Sequence, residues 1–396
     1  MAVIKIDPLD TLFFRDGRPF TMGEDDWAVS VFPPSPGVIY GALRSLYFSY
    51  HTEELSLAQT DADPTVSLRI TAMYWLMGPP GSQYPYFPLP LDLVRRKNSR
   101  QEPDRYYRLE LRSLNDVATG FSLPWVLGSG EEVENGDNCL VSKETLADYL
   151  AGNRDTFFAK EMKQYLYEES RIGIGRNTTT RAAEEHRLYR IKMHRLKEMS
   201  LAVEYEGLTL PGEGFLRLGG EGRVARYTHL SGDKEVLLAP VTGRYFKLYL
   251  ATPAFFAAGW RPGWLNPDGA GAYGPLKIRL LTAAVGRPLY IGGFDIKEKR
   301  PKPMRRAAPP GSVYYCEILQ GSMAEVVKAF HGRCIAEYRQ KEGFGLAFVG
   351  KLDQKNLSTL ASGGGDINAG DHYRRHLNVG KLSPGTSQYR RGLPVP

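Results

Sequence analysis

Apolar positions along this chain alternate between a spacing of two and a spacing near 3.6, so strands and helices are interleaved from the start. Val3, Ile4 and Ile6 open it as a strand. A polar loop, Arg15-Asp16-Gly17-Arg18-Pro19-Phe20, and the run Pro33-Pro34-Ser35-Pro36 follow. Ile39, Leu43, Leu46 and Tyr50 then recur at helical spacing, which predicts a helix over 37–50 with Ser35 as N-cap and Pro36 at the first helical position. Val66 to Trp75 reads as a second strand, and Pro79, Pro80, Pro85, Pro88 and Pro90 mark a long irregular connection after it. Two short helices are expected at 143–150, ended by Gly152, and at 157–168. Tyr189, Ile191 and Met193 alternate with Arg190, Lys192 and His194, a strand with one apolar and one basic face.

Further on, Leu216-Arg217-Leu218, the glycine run Gly219-Gly220-Glu221-Gly222 and the stretch from Arg223 to Tyr227 read as strand, turn and strand. A second half begins near Pro240, with strands expected at 246–251, 277–281 and 289–291. Ser322 and Glu325 form a capping box for a helix over 323–330, and 346–349 closes the pattern as a strand. Residues 353–396 contain Gly363-Gly364-Gly365, several serines and few large aliphatics, the composition of a mobile, mildly basic tail. Each half thus starts on a strand and holds a capped helix between strands, a mixed α+β pattern.

Composition narrows this picture. The 396 residues suffice for roughly two to three domains, and 42 Gly with 27 Pro speak for many turns, against an all-helical bundle. The longest apolar stretch, Tyr249 to Trp260, is interrupted by Pro253 and is shorter than the roughly 18–20 residues of a membrane span. The opening residues have no apolar signal segment or cleavage site, which points to a cytoplasmic protein with no membrane partner. Cys139, Cys316 and Cys334 are odd in number and form no C-x-x-C pair, so they read as buried small hydrophobes.

The formal net charge is +7, modest for this length, but it is clustered. Residues 95–112 hold seven basic against three acidic residues, 154–197 eleven against six, and 290–310 six against two. Such clusters suit a polyanionic partner.

Candidate chemistry follows from the same residues. Gly220-Glu221-Gly222-Arg223-Val224-Ala225 fits G-x-G-x-x-A, but a strand-like segment follows it where a dinucleotide site needs a helix. A hairpin turn whose glycine amides and neighbouring Arg217, Arg223 and Arg226 approach a phosphodiester is the better reading. Ser35 and the first amides of the helix after it offer a second phosphate seat, and Arg44 lies two turns further along. Asp25-Asp26 are adjacent on an extended chain, point to opposite faces and make no acid–base couple. His372 and His376 have ligand-like spacing without a third ligand. No metal or cofactor is expected.

Several strings occur together in a fixed order: Pro8 to Phe20; Glu169-Ser170-Arg171-Ile172-Gly173-Ile174-Gly175-Arg176 with Thr180-Arg181; Gly219-Gly220-Glu221-Gly222-Arg223; Gly292-Gly293-Phe294-Asp295; Pro309 to Tyr315; and Gly343-Phe344-Gly345. In these the chain, over about residues 1–352, resembles the third Cmr subunits of type III-B CRISPR effector complexes, members of the RAMP superfamily. The resemblance implies two ferredoxin-like, RRM-type domains: residues 1–239 with long irregular insertions and residues 240–352, before the tail at 353–396. It also implies a non-catalytic, antiviral role without cofactors. The implied partners are the 5′ handle of the guide RNA, the large polymerase-like subunit, adjacent RAMP backbone subunits, and target RNA near its 3′ flank. Carried onto this sequence, the family's basic and glycine motifs fall on Arg15, Arg18, Arg171, Arg176, Arg181, Gly219, Gly220, Gly222 and Arg223.

No RNP-like aromatic string lies on a central strand, so loops and arginines, not ring stacking, are expected to hold the RNA. Two alternatives remain open at this level. One is a metal-independent guide-processing endoribonuclease using His194 and Lys192. The other is a purely structural adaptor in which Trp260, Trp264, Tyr314 and Tyr315 pack against protein.

Overall fold

The computed structural model describes residues 2–15, 27–28, 30–58, 60–97, 104–114, 122–176, 180, 183–231, 237, 242–295 and 300–362. Residues 1–364 cluster as one compact unit. The first half contains β1 (Ala2–Pro8), α1 (Pro36–Tyr50), β2 (Arg69–Met77), α2 (Lys143–Ala151), β3 (Leu166–Arg176), β4 (Ala183–Leu196), β5 (Met199–Glu206) and β6 (Val224–His229). The second contains β7 (Tyr245–Leu250), β8 (Leu276–Ala284), β9 (Leu289–Ile291), β10 (Arg305–Ala307), β11 (Val313–Gln320), α3 (Met323–Phe330), β12 (Leu346–Lys351) and α4 (Gln354–Ala361). Shorter strands are named by their residues. The architecture is mixed α/β, mostly strands with few helices.

Two antiparallel sheets organise the unit. In the first, the central order is β6-β1-β5-β2, extended beyond β2 by Tyr84–Pro88, Cys139–Ser142 and Lys160–Glu161, and beyond β6 by Glu213–Arg217. In the second it is β12-β7-β11-β8, flanked by Arg333–Cys334 and Ala270–Tyr273. Taken in chain order, the four central strands of each sheet therefore lie fourth-first-third-second. The first sheet keeps a helix, α1, between its first and second strands. The second keeps one, α3, between its third and fourth.

Side-chain parity decides where the layers meet. In β2, Met73, Trp75 and Met77 join the core under α1 with Ile39, Leu43 and Leu46. Tyr74 and Leu76 turn the other way, onto α2 and the second sheet. In β7, Tyr249 shares that middle layer with Tyr315 and Phe348, while Phe246, Leu248 and Leu250 pack beneath Val326 and Phe330 of α3. A strand buried on both faces needs an unbroken apolar run, which is what Met73 to Met77 supplies. Each large aliphatic or aromatic side chain buried this way contributes about 1.5–3 kcal/mol.

Two local expectations are corrected. No helix forms over 157–168: Thr156–Phe158 is a strand whose Phe157 is buried and Phe158 exposed, and a short 3-10 turn and β3 follow. Alternating burial, period two, overrides helix propensity there. The tail does not begin at 353, because Asp353 caps α4, accepting the Asn356 amide at 3.0 Å. Asn356 is itself buried and accepts the Leu111 amide at 2.8 Å, so this turn of helix is docked. Residues 363–396 lie outside the described residues. Cys139 and Cys316 are buried and Cys334 half-buried, all three as free thiols, with burial pushing Cys334 up to about 12.

Candidate nucleic-acid interface

The polar loop after β1 is held at both ends. Leu9 donates its amide to the Val224 carbonyl at the start of β6, and Leu12 and His194 exchange amide–carbonyl hydrogen bonds at 2.7 and 2.9 Å. The loop is thereby stretched between the first sheet and β4, the second strand of a long hairpin formed with β3. Asp10 sits in the middle of this span. Its carboxylate accepts Arg223 Nη1 at 2.5 Å, Arg195 Nη2 at 2.9 Å and Arg171 Nη2 at 3.4 Å. Arg195 also grips Glu169 across the hairpin.

Three guanidinium groups thus face two carboxylates, leaving one net positive charge at the junction. The Thr11 backbone amide foremost, helped by Arg195, Arg171 and Arg223, holds the Asp10 carboxyl below its ordinary value against the opposing effect of burial. Arg195 does the same for Glu169. Arg171 and Arg195 remain nearly half exposed while Asp10 holds both and Glu169 also holds Arg195. Arg223, only 16% exposed and also in contact with the Met193 sulfur at 3.4 Å, is a strut more than an open cation.

The glycine turn abuts this junction. Gly219 has φ +82°, and a Cβ there would collide with the Phe13 carbonyl. Gly220 donates its amide to that same carbonyl at 2.8 Å, so this donor is already engaged and does not face a phosphate. Gly222, at φ +62°, lies in open space. Arg217 is exposed, whereas Arg226 pairs with Glu213 at 2.8 Å.

The remaining expected residues divide. Arg15 makes a backbone bridge to Ser30 and has an exposed side chain. Ser35 caps α1 from the extended region, with Pro36 next and no acidic residue in the first turn, and its hydroxyl makes no capping bond. Arg44 is tied to Asp63 and to Thr65 Oγ1, away from any phosphate seat. Arg176 ends β3 opposite Ala183. Arg18, Arg181, Asp25, Asp26, His372 and His376 lie outside the described residues. Among the described residues no group of histidine, cysteine and carboxylate side chains suits a metal ion, and no helix is long and apolar enough to cross a membrane.

His194 departs from the expected basic face. Ile191 and Met193 are buried and Arg190 is exposed as the alternation requires, but His194 is only 4% exposed. Its ring lies 5.4 Å from that of Phe32, with Nε2 3.3 Å from the Ser30 carbonyl. Lys192 pairs with Glu168 at 2.5 Å. A general base needs reach to a substrate proton, which this buried ring lacks. Of the aromatic adaptor set, Trp260 and Trp264 are partly buried and both tyrosines are internal. Tyr314 and Tyr315 are buried, Tyr314 donates to the Trp260 carbonyl at 2.6 Å, and Trp264 stacks on Phe330.

The sequence reading passed over Asp10 and Arg195. A signal for Arg195 was present: it falls in phase with Tyr189, Ile191 and Met193, and a charged residue on a packing face requires a partner.

Comparison with known proteins gives a family. A family model described as CRISPR-associated protein (Cas_Cmr3) matches residues 4–352. No curated protein matches the chain. Among solved structures, a cryo-EM structure of type III-B Cmr-beta bound to cognate target RNA and AMPPnP is similar with TM-score 0.48 and 19% identity, covering 79% of this chain and 86% of that one. Another, bound to cognate target RNA, gives TM-score 0.47 and 20% identity over 79% and 86% of the two chains.

Proposed function

Because the chain belongs to the CRISPR-associated Cas_Cmr3 family, subunits of type III-B effector complexes, we propose that its task there is to bind RNA without cleaving it. The RNA is the single-stranded 5′ handle of the guide. In this reading the chain also bridges the large polymerase-like subunit to the RAMP backbone, close to the 3′ flank of the target. Each sheet is read as a ferredoxin-like unit that has kept one of its two crossover helices, in line with the fourth-first-third-second strand order.

The observation that supports RNA binding most directly is the Asp10 junction. It draws Arg171 and Arg195 from the hairpin to the turn at Gly219–Gly222 and leaves both side chains nearly half exposed and the junction net positive. Arginine forks bound on one side by a carboxylate keep donors for phosphate oxygens on the other, and less side-chain entropy is lost on binding because they are already oriented. Arg15, Arg18, Ser35, Arg176, Arg181 and Gly222 belong to the same reading. Gly219 and Gly220 serve the turn's shape, and Arg223 its anchoring. The buried His194 speaks against the nuclease alternative.

The test is the affinity of the chain, co-purified with the large subunit, for handle-bearing guide RNA against a scrambled handle at several salt concentrations. Arg171→Ala and Arg195→Ala are expected to reduce the preference for the handle and to flatten the dependence of log K on log[salt] by roughly 0.7 for each phosphate that is no longer neutralised. Equal affinity of the wild type for both RNAs overturns handle recognition.

A further inference from the structure

Far along the chain, β9 and β10 pair as a short antiparallel ribbon, Leu289 opposite Ala307, Tyr290 opposite Arg306 and Ile291 opposite Arg305. Beyond it Phe294–Asp295 pairs with Arg300–Pro301, and Lys302 donates its amide to the Gly293 carbonyl. Arg300, Arg305 and Arg306 are exposed and Lys302 half-buried. None of these four forms an ion pair with a described residue, in contrast to the arginines at Asp10.

Two tyrosines accompany them. The Arg306 guanidinium lies 5.8 Å from the centre of the Tyr290 ring, and that of Arg305 lies 4.3 Å from the centre of Tyr338. Both rings are open, 56% and 44% exposed. Because successive side chains on a strand point to opposite faces, Tyr290 and Arg306 share one face of the ribbon, and Arg305 lies on the other with Ile291, where Tyr338 of a neighbouring segment meets its guanidinium.

Arg339 anchors the arrangement. Its Nη1 donates to the Gly292 carbonyl at 3.3 Å, its Nε donates to Glu342 at 2.8 Å, and its guanidinium lies 5.2 Å from the centre of the Phe344 ring. The same side chain closes over Gly37 in the first turn of α1, where a Cβ would run into it. The ribbon is thus fixed to the element that begins at Ser35.

We propose that this ribbon is a second, sequence-tolerant contact surface for single-stranded RNA, with Tyr290 and Tyr338 as stacking platforms for bases and Arg300, Lys302, Arg305 and Arg306 as phosphate contacts. It extends the RNA-binding reading to a surface apart from the Asp10 junction and does not depend on handle recognition. Basic residues by themselves protect a ribbon edge from pairing with another chain. Solvent-exposed tyrosine rings do nothing for that purpose, but every base has a π-face to lay on them. A guanidinium over such a ring adds cation–π and planar stacking surface while its edge donors remain available to a phosphate. Neighbouring cations with no ion pair among the described residues repel each other in the free protein, and a polyanion relieves that repulsion.

The experiment measures binding of fluorescein-labelled oligouridine of about 15 nucleotides to the full chain across a salt series. Arg305→Ala/Arg306→Ala is expected to weaken binding several-fold and to reduce the salt slope by about 1.4. Tyr290→Ala/Tyr338→Ala is expected to weaken it about fivefold or more with the slope unchanged, the mark of stacking. Thermal melts of both variants should match the wild type, since these side chains are exposed. Unaltered oligouridine affinity and slope in both double variants overturn the ribbon surface. If the ribbon variants bind as wild type while Arg171→Ala loses the handle preference, the ribbon inference fails and the handle reading stands. Weaker oligouridine binding by ribbon variants of a chain without handle preference supports the ribbon and removes the handle.

Discussion

Asp10 shows how one carboxylate sets the geometry of a basic surface. Three guanidinium groups converge on it, and the Thr11 amide and those groups keep it ionised below the ordinary carboxylate value. Its folded pKa is depressed, so its contribution to stability is present above the unfolded carboxylate value of about 3.9 and is lost as pH falls through the lower folded value. Asp10 is partly exposed, and solvent screening limits such pairs to about 1 kcal/mol or less. Asp10→Asn is therefore expected to lower the melting temperature slightly at neutral pH and to lose that deficit as pH falls below the ordinary carboxylate range, in thermal melts across a pH series. RNA binding should respond in the opposite sense. With one negative charge removed, oligouridine binding should tighten while discrimination of the handle from a scrambled sequence weakens. Unchanged discrimination in a folded variant would show that Asp10 does not position the hairpin arginines.

At the scale of elements, the glycine turn between Glu213–Arg217 and β6 separates backbone need from open space. Gly219 holds φ +82° with the Phe13 carbonyl where a Cβ would be, while Gly222 holds φ +62° with nothing near it. Gly222→Ala is expected to cost about 1 kcal/mol, the left-handed penalty alone. Gly219→Ala adds displacement of the Phe13 segment and should cost roughly 2–3 kcal/mol; equal losses in chemical denaturation would refute the difference. Elements such as these were legible where period and capping agree. Helices at 37–50 and 323–330, the turn at 219–222 and the strand pattern around 188–193 all follow from spacing and cap residues. Phe157 was misread because two adjacent phenylalanines satisfy either period until a neighbour, Tyr106, fixes which one is inward. The candidate site was legible as motifs and not as contacts. Arg171 and Arg223 stand in recognisable strings, but their convergence on Asp10 spans separations of 161 and 213 residues. His194 was misplaced for the same reason, since Phe32 and the Ser30 carbonyl that cover it come from a distant loop.

The whole molecule is held together across its middle layer, and that layer contains a charge network. Asp92, fully buried, accepts the hydroxyls of Tyr149 from α2 and Tyr315 from β11, each at 2.7 Å. Arg108 pairs with Asp353, the cap of α4, at 3.1 Å with both side chains buried. Lys247 of β7 enters the same layer, its Nζ 3.7 Å from the centre of the Tyr149 ring and 3.4 Å from the Tyr149 carbonyl. This polar cluster therefore joins strands and helices of both halves, where directional bonds fix the register of layers that apolar contact alone leaves free to slide. Burial chiefly, with the nearby Arg108 charge, brings Lys247 down to about 7, against the opposing pull of Asp92 and Asp353. Between about pH 7 and the ordinary lysine value near 10.4, the unfolded chain holds a proton here that the folded chain has released, so stability rises with pH across that window. Below about 7 the lysine is charged in both states and the full cost of burying the ammonium remains. Lys247→Met, similar in length and without the charge, should consequently raise the melting temperature relative to wild type at about pH 6 by more than at about pH 9.5. A difference between variant and wild type that stays constant over this range, measured by calorimetry in matched buffers, would show that the ammonium is not the group that titrates between the layers.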